Sequence, residues 1–304
     1  MFADMSIIIR FLISALLTLG GVDRVFAQTD FSKETFTATD GSTLQYRKAS
    51  IAGTGDKAAL VIYLHGGSSK GDDNEAQMQE PGINSITEWL QQNNRKAVMV
   101  VPQCPKDKSW IGDMLGTVKA LLQTFVDRGV ASNVYIFGGS MGGTGTWNML
   151  SLYPNFFSAA MPVAGNPSGL NAESVAKTPL FTVMGTADRI MKIPTVETFL
   201  ADMDAYNAEY RFETEEGWSH EDTCKKSYTN ERLSWVFSHT GNTDTGVDTI
   251  GTTDIVSTTW FGIDGQKLDG EPQQKGIYIK KCVDSNGQRT SLKVALTKAR
   301  AIKA

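Results

Sequence analysis

The sequence predicts an α/β protein built on a doubly wound, mostly parallel sheet, with a small β appendage at its C-terminus. Three observations lead there. Several apolar runs of strand length show no alternation of polar and apolar residues, the pattern of strands buried on both faces. Stretches of helical length lie between them, and alternating strand and helix is the signature of a doubly wound sheet. Beyond His239 the chain turns polar and glycine-rich, then resumes as short strand-like runs.

The elements follow in order. Phe36–Ala38 and Leu44–Arg47 flank Thr39-Asp40-Gly41-Ser42 and read as a hairpin, since Asp-Gly is a strong turn signal. Ala58–Leu64, Ala97–Val101, Val134–Phe137, Ala159–Ala164 and Leu180–Met184 are five continuous apolar runs, and Tyr210–Thr214 is a weaker sixth. Helices are expected over Ser85–Leu90, over Leu115–Arg128 before Gly129, and over Thr146–Tyr153 before Pro154. Two more are expected over Thr195–Tyr206, after Pro194, and over Lys226–Phe237. Residues 240–254 read as a linker. Ile255–Phe261, Gly276–Val283 and Ser291–Leu296 then give three strands, with Asp264-Gly265 and Asn286-Gly287 as turns.

The N-terminus is expected to be a targeting segment. Arg10 precedes the apolar run Phe11–Leu19, and Val25-Phe26-Ala27 offers a small residue for cleavage. That run is short for a bilayer, so the mature protein is expected to be exported and to carry no transmembrane segment. The expected organisation is a signal peptide over 1–27, a catalytic domain over 28–239, the linker, and a C-terminal module over 255–304. A 304-residue chain of 41% hydrophobic and 20% charged residues supports one large core. A net charge of −4 and the lack of a basic stripe argue against a nucleic-acid partner. Cys104, Cys224 and Cys282 have no metal-ligand spacing, so neither a metal nor another cofactor is expected.

The chemistry centres on Ser140. The run Asn133–Phe137 leads into Gly138-Gly139-Ser140-Met141-Gly142-Gly143, and helix-forming residues follow. A strand, a tight turn carrying G-x-S-x-G and a helix form a nucleophile elbow, which projects the serine hydroxyl above the sheet. Such a serine needs a base, and the base needs an orienting acid. Only three histidines are present. His239 ends the last helix, and His65 lies upstream of the serine. His220, in the stretch Glu216–Asp222 after the sixth run, is expected to be the base, lying in a loop. Asp188 follows the fifth run in Gly185-Thr186-Ala187-Asp188-Arg189 and is the expected acid. Asp202 and Asp204 read as solvated on a helix face, while Glu221 and Asp222 adjoin the histidine and could compete as orienters, although an adjacent side chain rarely points back correctly. The order Ser140, Asp188, His220 is that of an α/β-hydrolase. The N–H of Met141 and a second N–H at Gly67, in Leu64-His65-Gly66-Gly67, are the expected oxyanion donors.

These motifs resemble, in order, exported esterases often labelled "predicted peptidase": Tyr63-Leu64-His65-Gly66-Gly67 with Gly71-Asp72-Asp73-Asn74, Val101-Pro102-Gln103-Cys104-Pro105 with Trp110, Phe137–Gly143 with Thr146-Trp147, then Tyr153-Pro154 and Phe157–Ala160. That group is akin to acetyl-xylan and feruloyl esterases of carbohydrate esterase family 1 and to polyhydroxybutyrate depolymerases. The resemblance spans roughly residues 35 to 237. It implies a secreted carboxylic-ester hydrolase acting on acetyl or feruloyl groups of plant polysaccharides, through the triad above. Relatives often carry an aromatic residue a few positions after the histidine, where this chain has Cys224. The tail from about 255 to 298 is similar to C-terminal sorting tails of secreted Bacteroidetes proteins, which implies delivery to the cell surface or medium.

Trp110 and Trp218 are expected on loops above the strand ends, where a ring could stack on a sugar or phenolic group or else cover a local core. The short catalytic domain leaves little room for a lid, so an open cleft is expected. Cys104, after a strand end, and Cys224, near the catalytic loop, could share the upper face and form a candidate disulfide. The competing functional classes are a serine peptidase on the same fold and a catalytically silent carbohydrate-binding surface protein.

Overall fold

Leu60 and Val61 are neighbours in sequence, and both are fully buried, on opposite faces of one strand. This is the physical meaning of an apolar run without alternation: helices cover both sides of the sheet. The protein is described by a computed structural model covering residues 29–240, 255–262, 265–274, 276–284 and 289–296. The expected targeting segment (1–27) and, apart from Thr240, the expected linker (240–254) lie outside the described residues.

The chain runs β1 (Ser32–Thr37), β2 (Thr43–Ile51), β3 (Thr54–Leu64), α1 (Pro81–Gln92), β4 (Arg95–Pro102), α2 (Asp113–Asp127), β5 (Ala131–Gly139), α3 (Met141–Leu152) and β6 (Ala159–Val163). It continues through α4 (Ala172–Val175), β7 (Leu180–Gly185), α5 (Ile193–Asp204), β8 (Tyr210–Glu215), α6 (His220–Lys226) and α7 (Asn230–Ser238). Eight strands form one sheet in the order β1-β2-β4-β3-β5-β6-β7-β8. The first hairpin is antiparallel, and β2 pairs antiparallel with β4; every later pairing is parallel. The turn at Asp40-Gly41 forms as expected: Gly41 has φ +84°, and Asp40 accepts from the Ser42 N–H and hydroxyl.

Side chains alternate along β3 between two cores. Leu60, Ile62 and Leu64 pack with α2, α3 and α5, while Ala59, Val61 and Tyr63 pack with α1 and α7. Trp147 and Phe199 meet edge-on in the first core, and Trp89 stacks on Phe237 in the second.

Helix α4 was not expected from sequence, and the helices around His220 and after Ser140 also differ from expectation. The helix expected over Lys226–Phe237 begins later, as α7 at Asn230; Lys226 is the last residue of α6, a helix not expected from sequence, and Ser227-Tyr228-Thr229 separates the two. Thr229 caps the second by accepting from the Arg232 N–H, and Tyr228 turns into the core. Helix α3 begins at Met141 rather than Thr146, because packing overrides the poor helix propensity of Gly142, Gly143 and Gly145.

The C-terminal residues form a separate antiparallel sheet, β10-β9-β11-β12, from β9 (Ile255–Gly262), β10 (Lys267–Leu268), β11 (Gly276–Asp284) and β12 (Arg289–Leu296). The short β10 was not expected from sequence. The Asn286-Gly287 turn lies outside the described residues. No described helix is long and apolar enough to cross a membrane.

Candidate active site

The elbow is a point of close approach. A Cβ on Gly142 would stand 1.8 Å from the Leu64 carbonyl oxygen, and one on Gly138 would stand 2.4 Å from the Gly142 oxygen. Only glycine permits β3, β5 and α3 to converge this tightly. Ser140 takes φ +58° and ψ −119°, a sparsely populated region for a residue with a side chain. Two bonds hold it there: its N–H donates to Val163 O at 3.0 Å, and its carbonyl accepts from the Thr144 N–H at 2.9 Å. The strained backbone lifts the side chain off the strand and sets it at the N-terminus of α3.

The three expected triad residues come together. Ser140 Oγ lies 2.7 Å from His220 Nε2, and His220 Nδ1 lies 2.7 Å from Asp188 Oδ2. A carboxylate only accepts, so Nδ1 carries the proton and Nε2 is free to accept from the serine hydroxyl. The Asp188 side chain is fully buried and its other oxygen, Oδ1, accepts from the N–H groups of Ile190 and Met191 at 2.8 and 2.9 Å. Asp188 therefore caps its own turn and orients the histidine at once.

His220 is not in a loop. It is the first residue of α6, fixed by a capping box in which Ser219 accepts from the Asp222 N–H and Asp222 reaches back to the Ser219 N–H. The box has a readable sequence signal, a serine three residues before an acid. It also occupies Asp222, whose carboxyl is held low, near 2, by Lys226 first and then by Ser219. The acid and base turns are tied together, since Ala187 N–H donates to Trp218 O and Gly217 N–H to Thr186 Oγ1.

Opposite lies the turn after β3. Gly66 is buried and Gly67 is exposed. A Cβ on Gly66 would come within 3.7 Å of Ser140 Cβ, so this turn abuts Ser140. His65 is fully buried; its Nε2 accepts from the Cys104 N–H at 2.8 Å, which leaves the proton on Nδ1 to bond Gly66 O at 2.7 Å. Burial lowers its pKa to about 4, so the ring is neutral at ordinary pH. The Ser69 N–H also donates to Gly66 O. In a planar trans peptide the Gly67 N–H points opposite to that carbonyl, so these bonds aim it away from the His65 ring. As the first helical residue, Met141 has no intrahelical acceptor for its N–H.

Two expectations are corrected here. Trp110 is fully buried; its Nε1–H donates to His65 O at 2.9 Å, and its ring meets His65 edge-on. It is a prop beneath the turn and presents no face to a substrate. Trp218 is half-buried, two residues before His220, with Lys226 and Arg232 within 6 Å of its ring. Cys104 and Cys224 are free thiols. Cys104 belongs to the core on the α2–α3 side and Cys224 packs against the α1–α7 side, so the sheet separates them. Burial raises their pKa values to about 11 and about 12. His239 is likewise not free in solvent: it bonds Trp235 O and Glu209.

One residue near the site escaped sequence reasoning. Glu80, at the start of α1, accepts from the Gly66 N–H and the Ser69 hydroxyl, both at 2.8 Å. No motif marks it, because it lies 60 residues before the serine in the run Gln79-Glu80-Pro81.

No family model and no curated protein matches the chain. Solved structures do resemble it. A thermostable esterase shares 24% identity and a TM-score of 0.63 over 69% of this chain and 63% of its own, so this chain spans less than two thirds of that protein. The feruloyl esterase module of Clostridium thermocellum, complexed with sinapinate, shares 15% identity and a TM-score of 0.56 over 70% and 90%. The acylaminoacyl peptidase of Pyrococcus horikoshii shares 13% identity and a TM-score of 0.53 over 73% and 44%. Sheet order, elbow and these likenesses together give the chain the α/β-hydrolase fold, which esterases and peptidases both use.

Proposed function

We propose that this protein is a serine carboxylesterase. The observation that carries the reading is the pair of 2.7 Å contacts linking Ser140, His220 and Asp188 at a strained strand-to-helix turn. Ser140 Oγ attacks the ester carbonyl carbon while His220 Nε2 takes its proton. The imidazolium that forms faces the buried Asp188 carboxylate. The N–H groups of Met141 and Gly67 hold the oxyanion, and the positive end of α3 adds to them. Collapse returns the proton from Nε2 to the leaving alcohol. Water then attacks the acyl-enzyme by the same route, and Ser140 is regenerated.

The proposed substrates are acetyl or feruloyl groups on plant polysaccharides, and the protein is read as exported. The motif resemblance supports the substrate class, and the leader-like residues 1–27 support export. Ser140 and His220 reach solvent, and Gly67 is exposed, which suits a bulky polymer-linked ester. Trp218 is the remaining aromatic candidate for contact with the substrate. A serine peptidase is the second reading, favoured by the likeness to the acylaminoacyl peptidase.

The test compares wild type with Ser140→Ala on 4-nitrophenyl acetate and methyl ferulate. Ser140-dependent hydrolysis is expected, and equal rates for the two proteins would sink the proposal. A matched amide substrate separates the readings: faster turnover of the amide would favour the peptidase. A fluorophosphonate probe that labels wild type but not Ser140→Ala excludes a silent binding protein.

A further inference from the structure

We propose that Glu80 is a positioning residue that clamps the turn after β3 and so holds the Gly67 N–H in place for the oxyanion. The inference rests on the serine-hydrolase reading and deepens it. Glu80 touches no reacting atom; it acts through the backbone of Gly66.

The starting point is the position of Glu80. It precedes Pro81, which keeps its backbone extended at φ −71° and ψ 117°, and it stands at the N-cap of α1. A polar residue there ordinarily accepts from the first helical N–H groups. Glu80 makes no such bond. Its Oε1 accepts instead from the Gly66 N–H and the Ser69 hydroxyl, each at 2.8 Å. A single oxygen thus bridges both ends of the turn that contains Gly67.

The turn needs such a bridge because of its composition. Gly66 and Gly67 are consecutive glycines, so little steric resistance opposes rotation of the peptide between them. That peptide carries the Gly67 N–H. His65 Nδ1–H and the Ser69 N–H hold its carbonyl at Gly66 O. Glu80 holds the preceding N–H, which leaves Gly66 fixed on both sides. Without the carboxylate, the N–H of Gly66 and the hydroxyl of Ser69 would be left unpaired in a buried place, and a rotated backbone would relieve them.

Glu80 is itself seated firmly. At Gly82, two residues on, a Cβ would stand 2.5 Å from a Tyr228 ring carbon and 2.7 Å from one of Tyr63. The start of α1 therefore lies directly on these two buried rings. Tyr63 belongs to β3, two residues before His65, and Tyr228 joins α6 to α7. The clamp is thereby packed against the strand that leads to the oxyanion turn and the joint that follows the His220 helix.

The experiment uses the full chain and five proteins: wild type, Ser140→Ala, Glu80→Ala, Glu80→Gln and Ser69→Ala. Each is assayed on 4-nitrophenyl acetate. Each is also titrated with an alkyl trifluoromethyl ketone, whose carbonyl carbon Ser140 Oγ would attack to give a hemiketal oxyanion, the serine proton passing to His220. Loss of one oxyanion donor lowers kcat by about 10²–10³, so loosening one is expected to lower it by about 10- to 100-fold in Glu80→Ala. KM should stay within about threefold, and the ketone should weaken by the same factor as kcat/KM. Glu80→Gln, whose amide oxygen accepts the same two bonds, should recover most of the loss. Glu80→Ala with kcat and ketone affinity both within about threefold of wild type would overturn the inference, as would equal losses in Glu80→Ala and Glu80→Gln. Circular dichroism monitors the fold. If Glu80→Ala does not fold, Glu80→Gln and Ser69→Ala decide: Ser69→Ala should lower kcat by about 3- to 10-fold at constant KM, and no change there defeats the clamp. Equal activity in Ser140→Ala and wild type would defeat the serine-hydrolase reading itself, and this inference with it. Ser140-dependent activity that ignores Glu80 defeats this inference alone.

Discussion

The two sides of Ser140 are built by different means. On one side, Asp188 and His220 meet through side chains, and one 2.7 Å contact follows another in a line. On the other side the proposed working groups are backbone N–H donors, and the turn that carries Gly67 is held from behind by His65, Ser69, Glu80 and Trp110. The difference teaches where chemistry can be read from residue type and where it cannot. A proton relay needs particular side chains. A backbone donor needs only a fixed peptide plane, and many residue types can fix one.

The relay side should show the largest effects. Ser140→Ala or His220→Ala is expected to lower kcat by about 10⁴–10⁶, measured on 4-nitrophenyl acetate. Asp188→Asn should lower it by about 10⁴ with little change in KM, because the amide stabilises the wrong imidazole tautomer. A loss below about tenfold in Asp188→Asn would assign the acid elsewhere and break the comparison.

The backbone side should show itself first in stability. Gly142→Ala forces a Cβ to within 1.8 Å of Leu64 O, where only backbone could yield. We expect destabilisation on the order of 4 kcal/mol, or no folded protein, read from urea unfolding. His65 gives a pH signature. Its folded pKa, about 4, lies below the ordinary 6.5, so the unfolded chain binds more protons between these values. Stability from His65 is therefore full above about pH 6.5 and lost as pH falls toward 4, by roughly 3 kcal/mol. His65→Gln should flatten that part of the stability curve; an unchanged slope would contradict a neutral buried ring. Smallest is Trp110→Phe, which leaves the buried His65 carbonyl without its donor and opens a small void, and should cost about 2 kcal/mol. A selective fall in kcat for this variant would sharpen the comparison, by showing that props reach the oxyanion through packing.

Legibility in the sequence follows the same division. The parallel sheet was readable because strands buried on both faces leave unbroken apolar runs, as in Leu60 to Leu64. Ser140, Asp188 and His220 were readable because few residue types can do their work and histidine is scarce. Glu80 was not, since a carboxylate before a proline looks like any other helix start. Trp110 was misjudged because position above a strand end does not reveal which way a ring turns; here it turns inward to a backbone carbonyl. The break between α6 and α7 had no proline or glycine to announce it. The Cys104–Cys224 pairing failed on the face of the sheet, which nearness to a strand end or to the catalytic loop does not specify.

The bonds between the Asp188 turn and the residues just before His220 have a dynamic consequence. Ala187 N–H to Trp218 O and Gly217 N–H to Thr186 Oγ1 join two loops from neighbouring strands into a single block. Two loops tied in this way are expected to be displaced together, carrying Asp188 and His220 with them. The Nδ1–Oδ2 separation is then preserved, and the motion is felt mainly along one coordinate, the gap between Nε2 and the serine oxygen.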